Sequence, residues 1–162
     1  TPFFQELYNG ISDGAERVSI SYTSHLERGN LLDQLIESRS KERIVGYTLH
    51  GIHKDDLTME LDGYPIKREG SQGQTKSYLT ALKLAQYMLL SQKCNGKKPI
   101  LLLDDIFDKL DSSRVQSILQ LVADERFGQI FITDVNRSNI EQMISGLGCN
   151  YKVFSIDKGV VL

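Results

Sequence analysis

Apolar residues mark out the elements of this chain before any chemistry is considered. Phe3, Phe4, Leu7 and Tyr8 recur at helical spacing, and Gly10 or Gly14 is placed to end that helix. Val18-Ser-Ile-Ser-Tyr22 alternates, which predicts a strand. Asn30 suits the N-cap of a helix that turns Leu31, Leu32, Leu35 and Ile36 toward a core. The chain divides near residue 45. The section before it is short and lacks a complete core, so it reads as a piece of something larger.

Beyond residue 45 the pattern becomes more regular. Leu57-Thr-Met-Glu-Leu61 alternates, Asp62-Gly63 is a tight-turn dipeptide, and Tyr64-Pro-Ile-Lys67 completes a hairpin whose second strand is an edge because of Pro65. A polar loop, Glu69 to Gln74, opens a long helix with Tyr78, Leu82, Ala85 and Leu89 on one stripe and Ala81 and Met88 beside it. Gly96, Lys97, Lys98 and Pro99 stop that helix. Ile100–Leu103 is apolar at every position, which predicts a strand buried on both faces. A helix carrying Val115, Ile118, Leu119 and Val122 follows, then a second buried strand at Ile130–Ile132. Ser138 and Glu141 have capping-box spacing, and Tyr151–Ile156 with Val160–Leu162 form a terminal hairpin around Asp157–Gly159. Helices alternating with such strands predict an α/β fold with a mainly parallel sheet flanked by helices. Chemistry in such sheets lies at the C-terminal ends of the strands.

Composition narrows this little. With 162 residues, the chain suffices for one compact domain or one domain and part of another, and needs no disulfide or metal staple. A net charge of −2 does not point to nucleic acid. Arg39, Lys41 and Arg43 lie among Glu37 and Glu42, as on a solvated helix face. Cys94 and Cys149 form no CxxC pair and read as buried or half-buried thiols of a reducing, cytoplasmic compartment. An apolar run such as Ile100–Leu103 is far short of the roughly 20 residues that span a bilayer, so no membrane partner is expected. No apolar leader follows a basic start, although a chain beginning at Thr1 is compatible with processing or truncation.

Three segments carry candidate chemistry. The first is Ile100-Leu-Leu-Leu-Asp104-Asp105, a hydrophobic strand ending in two carboxylates. This is a Walker-B pattern: Asp104 can help hold Mg²⁺, and Asp105 can orient or deprotonate an attacking water. The plainer alternative is a strand end and a turn. The second is Asp111, seven residues past Asp104, which also suits the cap of the next helix. The third is Gly70-Ser71-Gln72-Gly73-Gln74, whose small residues let a phosphate approach the N–H groups of a helix start. An ordinary helix cap is the alternative there. The same segment continues Thr75-Lys76-Ser77, one substitution from the P-loop pattern GxxxxGK followed by Ser or Thr. Against a P-loop stand the polar, proline-bearing stretch before it and the β-branched Thr75 in place of glycine.

A Ser-x-Gly-Gln loop, then a strand ending in Asp-Asp, then Leu-Asp, follows the order of the C-terminal lobe of an ABC-type ATPase head. Ser71-Gln-Gly-Gln74, Gly51-Ile-His53-Lys54-Asp55-Asp56-Leu57 and Leu102-Leu-Asp104-Asp105 resemble the RecF family over about Gly46 to Val135. Ile52 and Lys54 depart from that family's Pro and Arg, and Asp134 stands where many ABC ATPases have a switch histidine. The resemblance implies residues 1–45 as part of a helical arm domain and 46–162 as the ATPase lobe. It implies ATP and Mg²⁺ as ligands, Asp104 and Asp105 as the catalytic carboxylates with Asp104 on the metal, and Ser71, Gln72, Gly73, Gln74 and Asp111 at the nucleotide. The Ser71 loop would act in trans, closing on ATP held by the other subunit of a homodimer. It further implies slow ATP hydrolysis, binding to single-strand/double-strand DNA junctions, recombinase loading with RecR and RecO, and roles in repair, recombination, replication and the SOS response. Lacking a Walker A, this stretch alone would be inactive. The alternatives are another SMC-like repair or chromosome ATPase, or a non-catalytic interaction module derived from one.

Overall fold

The computed structural model describes residues 2–12, 14, 16–95, 97–135 and 137–161, without the side chains of residue 2 and residues 137–140. Contacts gather these residues into two compact units, Glu16–Gly70 and Pro2–Ala15 with Ser71–Leu162. The class is mixed α/β, as the alternation of elements predicts.

In the first unit, strand β1 (Val18–Thr23) runs antiparallel to β2 (Asp56–Leu61), Val18 opposite Leu61 and Thr23 opposite Asp56. The pairing thus joins residues on either side of position 45. Asp62 and Gly63 both take positive φ, 51° and 82°, in a two-residue hairpin turn that suits Asp-Gly. The second hairpin strand, β3 (Tyr64–Pro65), is an edge as predicted but only two residues long. Proline gives the ladder no N–H, and the chain turns into a short helix at Ile66–Glu69 that buries Ile66. A longer helix, Leu31–Val45, begins at Asn30, whose side chain accepts the Leu32 N–H at 2.8 Å. Leu32 and Ile36 are exposed, so the predicted inward face of that helix is only partly inward; its buried side chain is Ser38.

The second unit opens with helix α1 (Pro2–Ser12), which runs through Gly10 and ends before Gly14 at φ 72°. A Cβ on Gly10 would meet the Leu121 side chain at 3.1 Å, so glycine permits a close approach there. Phe4 and Tyr8 meet Tyr78 edge-on, with ring centroids 4.8 and 6.1 Å apart. Tyr78 belongs to helix α2 (Gln72–Lys93), which buries Tyr78, Ala81, Leu84, Ala85 and Tyr87 but leaves Leu89 exposed. The predicted stripe is displaced because Ser77 and Thr80 are buried with their hydroxyls bonded, to Arg114 and to the Lys76 carbonyl. The helix ends at Lys93; Gly96, the predicted stop, lies outside the described residues.

Strand β4 (Leu101–Asp104) pairs in parallel with β5 (Ile130–Thr133), Leu102 opposite Phe131 and Asp104 opposite Thr133. Leu101 and Leu103 are buried, whereas Leu102 is 61% and Phe131 47% exposed. Burial on both faces is therefore not observed; one face is covered. Helix α3 (Ser112–Val122) buries Val115, Ile118, Leu119 and Val122, as predicted. Helix α4 (Arg137–Ser145) starts before Ser138, so the predicted cap lies inside its first turn; the Ser138 side chain is outside the described residues. The final hairpin, β6 (Ile156–Asp157) and β7 (Val160–Val161), is shorter than predicted and turns at Lys158 and Gly159; Leu162 lies outside the described residues. Cys94 and Cys149 are exposed rather than buried. Among the described residues, no helix is long and apolar enough to cross a membrane.

Candidate functional site

The site is built on the start of α2. Ser71 is its N-cap: the Ser71 Oγ accepts the Gln74 N–H at 3.2 Å, and the Gln74 side-chain oxygen accepts the Ser71 N–H at 2.8 Å. This reciprocal capping box makes Gln72, Gly73 and Gln74 the first helical turn rather than a free loop. The Ser71 hydroxyl accepts inward and can still donate its proton outward. The first N–H groups have no helical carbonyl behind them, and the helix dipole adds partial positive charge. Gly73 has no positive φ, and a Cβ there would make only an ordinary 3.5 Å contact with the Lys109 carbonyl. Nothing within the fold requires glycine at this position.

The P-loop alternative does not survive this geometry. A short helix, not a strand, precedes the segment, and Thr75, Lys76 and Ser77 are already helical. Lys76 extends to the end of β4, where its Nζ donates to the Asp105 carbonyl at 2.7 Å.

At that strand end, Thr133 organises both carboxylate residues. Its hydroxyl donates to Asp104 Oδ1 in a short hydrogen bond and accepts the Asp105 N–H at 3.1 Å. The Thr133 carbonyl shares the same N–H at 3.2 Å. Asp105 sits at φ 47°, in the left-handed region that aspartate tolerates better than most residues. Both carboxylate residues are exposed. Ile106 and Phe107 are buried and anchor the loop that follows.

Asp111 caps α3 by accepting the Arg114 N–H at 2.9 Å. The Arg114 guanidinium lies 3.4 Å from the same carboxylate and donates to Ser77 Oγ at 3.0 Å. Arg114 and Lys76 therefore tie α2 at Lys76 and Ser77, just past the Ser71–Gln74 turn, to Asp105 and Asp111 within one unit. Sequence spacing had offered Lys76 only as a P-loop lysine and had not singled out Thr133 or Arg114 at all.

The Gly51–Leu57 segment lies in the other unit. His53 Nε2 is 3.0 Å from the Thr48 carbonyl, in a hydrogen-bonded turn. Asp55 accepts from the Tyr22 hydroxyl, from Ser24 Oγ at 3.0 Å and from the His25 N–H at 2.9 Å. The Tyr22 bond first, then the His25 N–H, holds the Asp55 carboxyl below its ordinary value of 3.8. Asp55 thus fastens a strand end to the following turn.

No family model matches the chain. RecF proteins do, along nearly all of it. The DNA replication and repair protein RecF of Phocaeicola vulgatus is 53% identical over 160 residues, 99% of this chain. That of Parabacteroides distasonis is 51% identical over 161 residues. The chain belongs to the RecF family. It spans about 43% of the length of the Phocaeicola relative. The fold agrees: a solved structure of the recombination mediator protein RecF-ATPrS in the RecFOR pathway superposes with a TM-score of 0.71 at 28% identity, over 99% of this chain and 42% of that one. The corresponding RecF-ATP structure gives 0.68 at 25% identity. The α/β class expected for an ABC-type head lobe stands with that RecF fold.

Proposed function

We propose that this chain is the C-terminal part of a RecF-type ATPase whose ATP-driven homodimer binds DNA junctions and assists recombinase loading with RecR and RecO. Residues 46–162 would form the C-terminal lobe of the head and 1–45 part of its arm. A Walker A elsewhere in the longer protein would hold ATP, and the work would be cytoplasmic. The observation that carries this reading is the tie from Lys76 and Ser77, one turn past the Ser71 cap, to Asp105 and Arg114, in a chain of RecF sequence. Gly73 adds support. Glycine costs a helix roughly 0.5–1 kcal/mol relative to alanine, and the fold itself does not need it there. An approach by something outside the chain, such as the γ-phosphate of a nucleotide on the partner subunit, accounts for it.

In hydrolysis, a water oxygen bonds to the γ-phosphorus as the bond to the ADP oxygen breaks. Asp105 orients that water and takes its proton. The oxygen donors of Asp104 and Thr133 suit a hard cation that keeps most of its waters. Mg²⁺, when bound, supplies charge neutralisation to the substrate phosphates. Ser71, Gln72, Gly73 and Gln74 would meet the partner's nucleotide in trans, with Asp111 fixing the segment beside them.

The test uses the full-length protein. Asp105→Asn should keep ATP-dependent dimerisation and lower kcat by about 100-fold or more, whereas Asp104→Asn should also weaken Mg²⁺-dependent ATP binding. Full activity in both variants would overturn the assignment.

A further inference from the structure

We propose that Lys76 is a positioning residue for Asp105, and that through it the seating of a subunit's Ser71 turn on one nucleotide prepares that subunit's own carboxylate for the other. This rests on the function proposed above. The Asp105 peptide is clamped from two sides. Its N–H is held by Thr133, through the carbonyl at 3.2 Å and the hydroxyl at 3.1 Å, and its carbonyl is held by the Lys76 ammonium at 2.7 Å. A left-handed residue other than glycine costs about 1 kcal/mol and persists only where its surroundings hold it. Asp105 is such a residue, at φ 47°.

The two halves of the clamp differ in what they report. Thr133 is fixed in the β4–β5 ladder opposite Asp104. Lys76 stands on α2, four residues after Gln72 and three after Gly73, a spacing that puts it on their side of the helix. Within a capped, hydrogen-bonded helix these residues move together. A displacement of the first turn as it meets the partner's nucleotide therefore displaces the lysine, and with it the carbonyl of Asp105. A charged donor on a carbonyl is a stronger tether than a neutral one.

Mixed dimers of the full-length protein separate the possibilities. In the first, one subunit carries Lys76→Met and its partner carries Asp105→Asn, so hydrolysis depends on Asp105 of the lysine variant. In the second, both substitutions lie in one subunit, so hydrolysis depends on the unaltered partner. The reference is a dimer carrying Asp105→Asn alone in one subunit. The first should lose about tenfold or more in kcat with KM within about threefold, because a small displacement of a catalytic group lowers turnover steeply. The second should stay within about twofold of the reference. Lys76→Arg, which keeps the charged donor, should recover most of the loss in the first. Near-reference turnover in the first dimer, loss confined to the second, or no recovery with arginine would each overturn the proposal. Sedimentation with ATP gives the readout independent of activity: the Lys76→Met protein should still dimerise, and a failure to do so would show a structural role instead. If the unaltered protein does not dimerise with ATP, or full Asp105→Asn dimers hydrolyse normally, it is the functional reading that fails.

Discussion

In the second unit, Phe4 and Tyr8 pack edge-on against Tyr78, and Leu7, Ile11, Leu84, Leu103, Ile118 and Leu119 are almost completely buried as well. In the first, the buried apolar side chains among the described residues are Val18, Leu61 and Ile66, and a polar cluster on Asp55 joins the elements instead. Apolar burial is non-directional and tolerates salt and pH. A carboxylate with three donors is directional and depends on staying ionised. The unit that carries the candidate site therefore rests mainly on apolar burial, with Asp124, held below its ordinary 3.8 by the Arg126 N–H and guanidinium, as its own protonation-sensitive contact. The site's own polar residues can be exposed without weakening its scaffold.

The largest expected difference comes from truncating the aromatic core. Tyr78→Ala should cost about 3–5 kcal/mol, seen as a lower midpoint in urea, and should loosen the start of α2 with it. An effect under about 1 kcal/mol would mean that the ring cluster is not the scaffold of the site. A smaller loss, about 1 kcal/mol, is expected for Asp111→Ala, since the cap of α3 goes while its apolar stripe stays. Gly73→Ala should have the opposite sign. It should stabilise the fold by up to about 1 kcal/mol while impairing ATP-dependent dimerisation. Destabilisation instead would show that the fold itself needs the glycine.

The first unit should answer to pH. Burial, with Arg28 and His50 nearby, holds His25 below its ordinary 6.5. The Leu49 N–H, with Ser38, holds Glu42 below 4.5, and Tyr22 and the His25 N–H hold Asp55 below 3.8. A pKa depressed by folding means that the unfolded chain binds more protons as pH falls. The contribution of His25 is thus full above about pH 6.5 and declines below it, and those of the two carboxylates decline below their ordinary values. Hydrogen exchange in β1 and β2, corrected for intrinsic rates, should rise on acidification before that of α2 and α3. Asp55→Asn should flatten the most acidic part of that response. Equal loss of protection in both units would remove the distinction between them.

What could be read from the sequence follows from how local each feature is. The Asn30 cap, the Asp62-Gly63 turn and the Val115–Val122 stripe depend on neighbouring residues, and all three are present. The order of Ser71, Asp104, Asp105 and Asp111 was legible because family motifs are linear. The stripe on α2 was misplaced because Ser77 and Thr80 bury their hydroxyls in bonds that composition does not show. The Thr133–Asp104 and Lys76–Asp105 bonds are invisible to local pattern because each joins residues almost thirty positions apart. The capping box that Ser71 forms with Gln74 decides which substitution can probe that position. Arginine at position 71 would remove an N-cap as well as fill the interface.

Ser71→Asp avoids that confusion, because aspartate caps helices as well as serine does while setting a negative charge against the partner's γ-phosphate. The decisive measurement is sedimentation of full-length Ser71→Asp protein with ATP and Mg²⁺, alongside its melting temperature. The expected result is a variant as stable as the unaltered protein that binds ATP and stays monomeric. A normal ATP-dependent dimer would contradict the placement of Ser71 against the nucleotide of the other subunit.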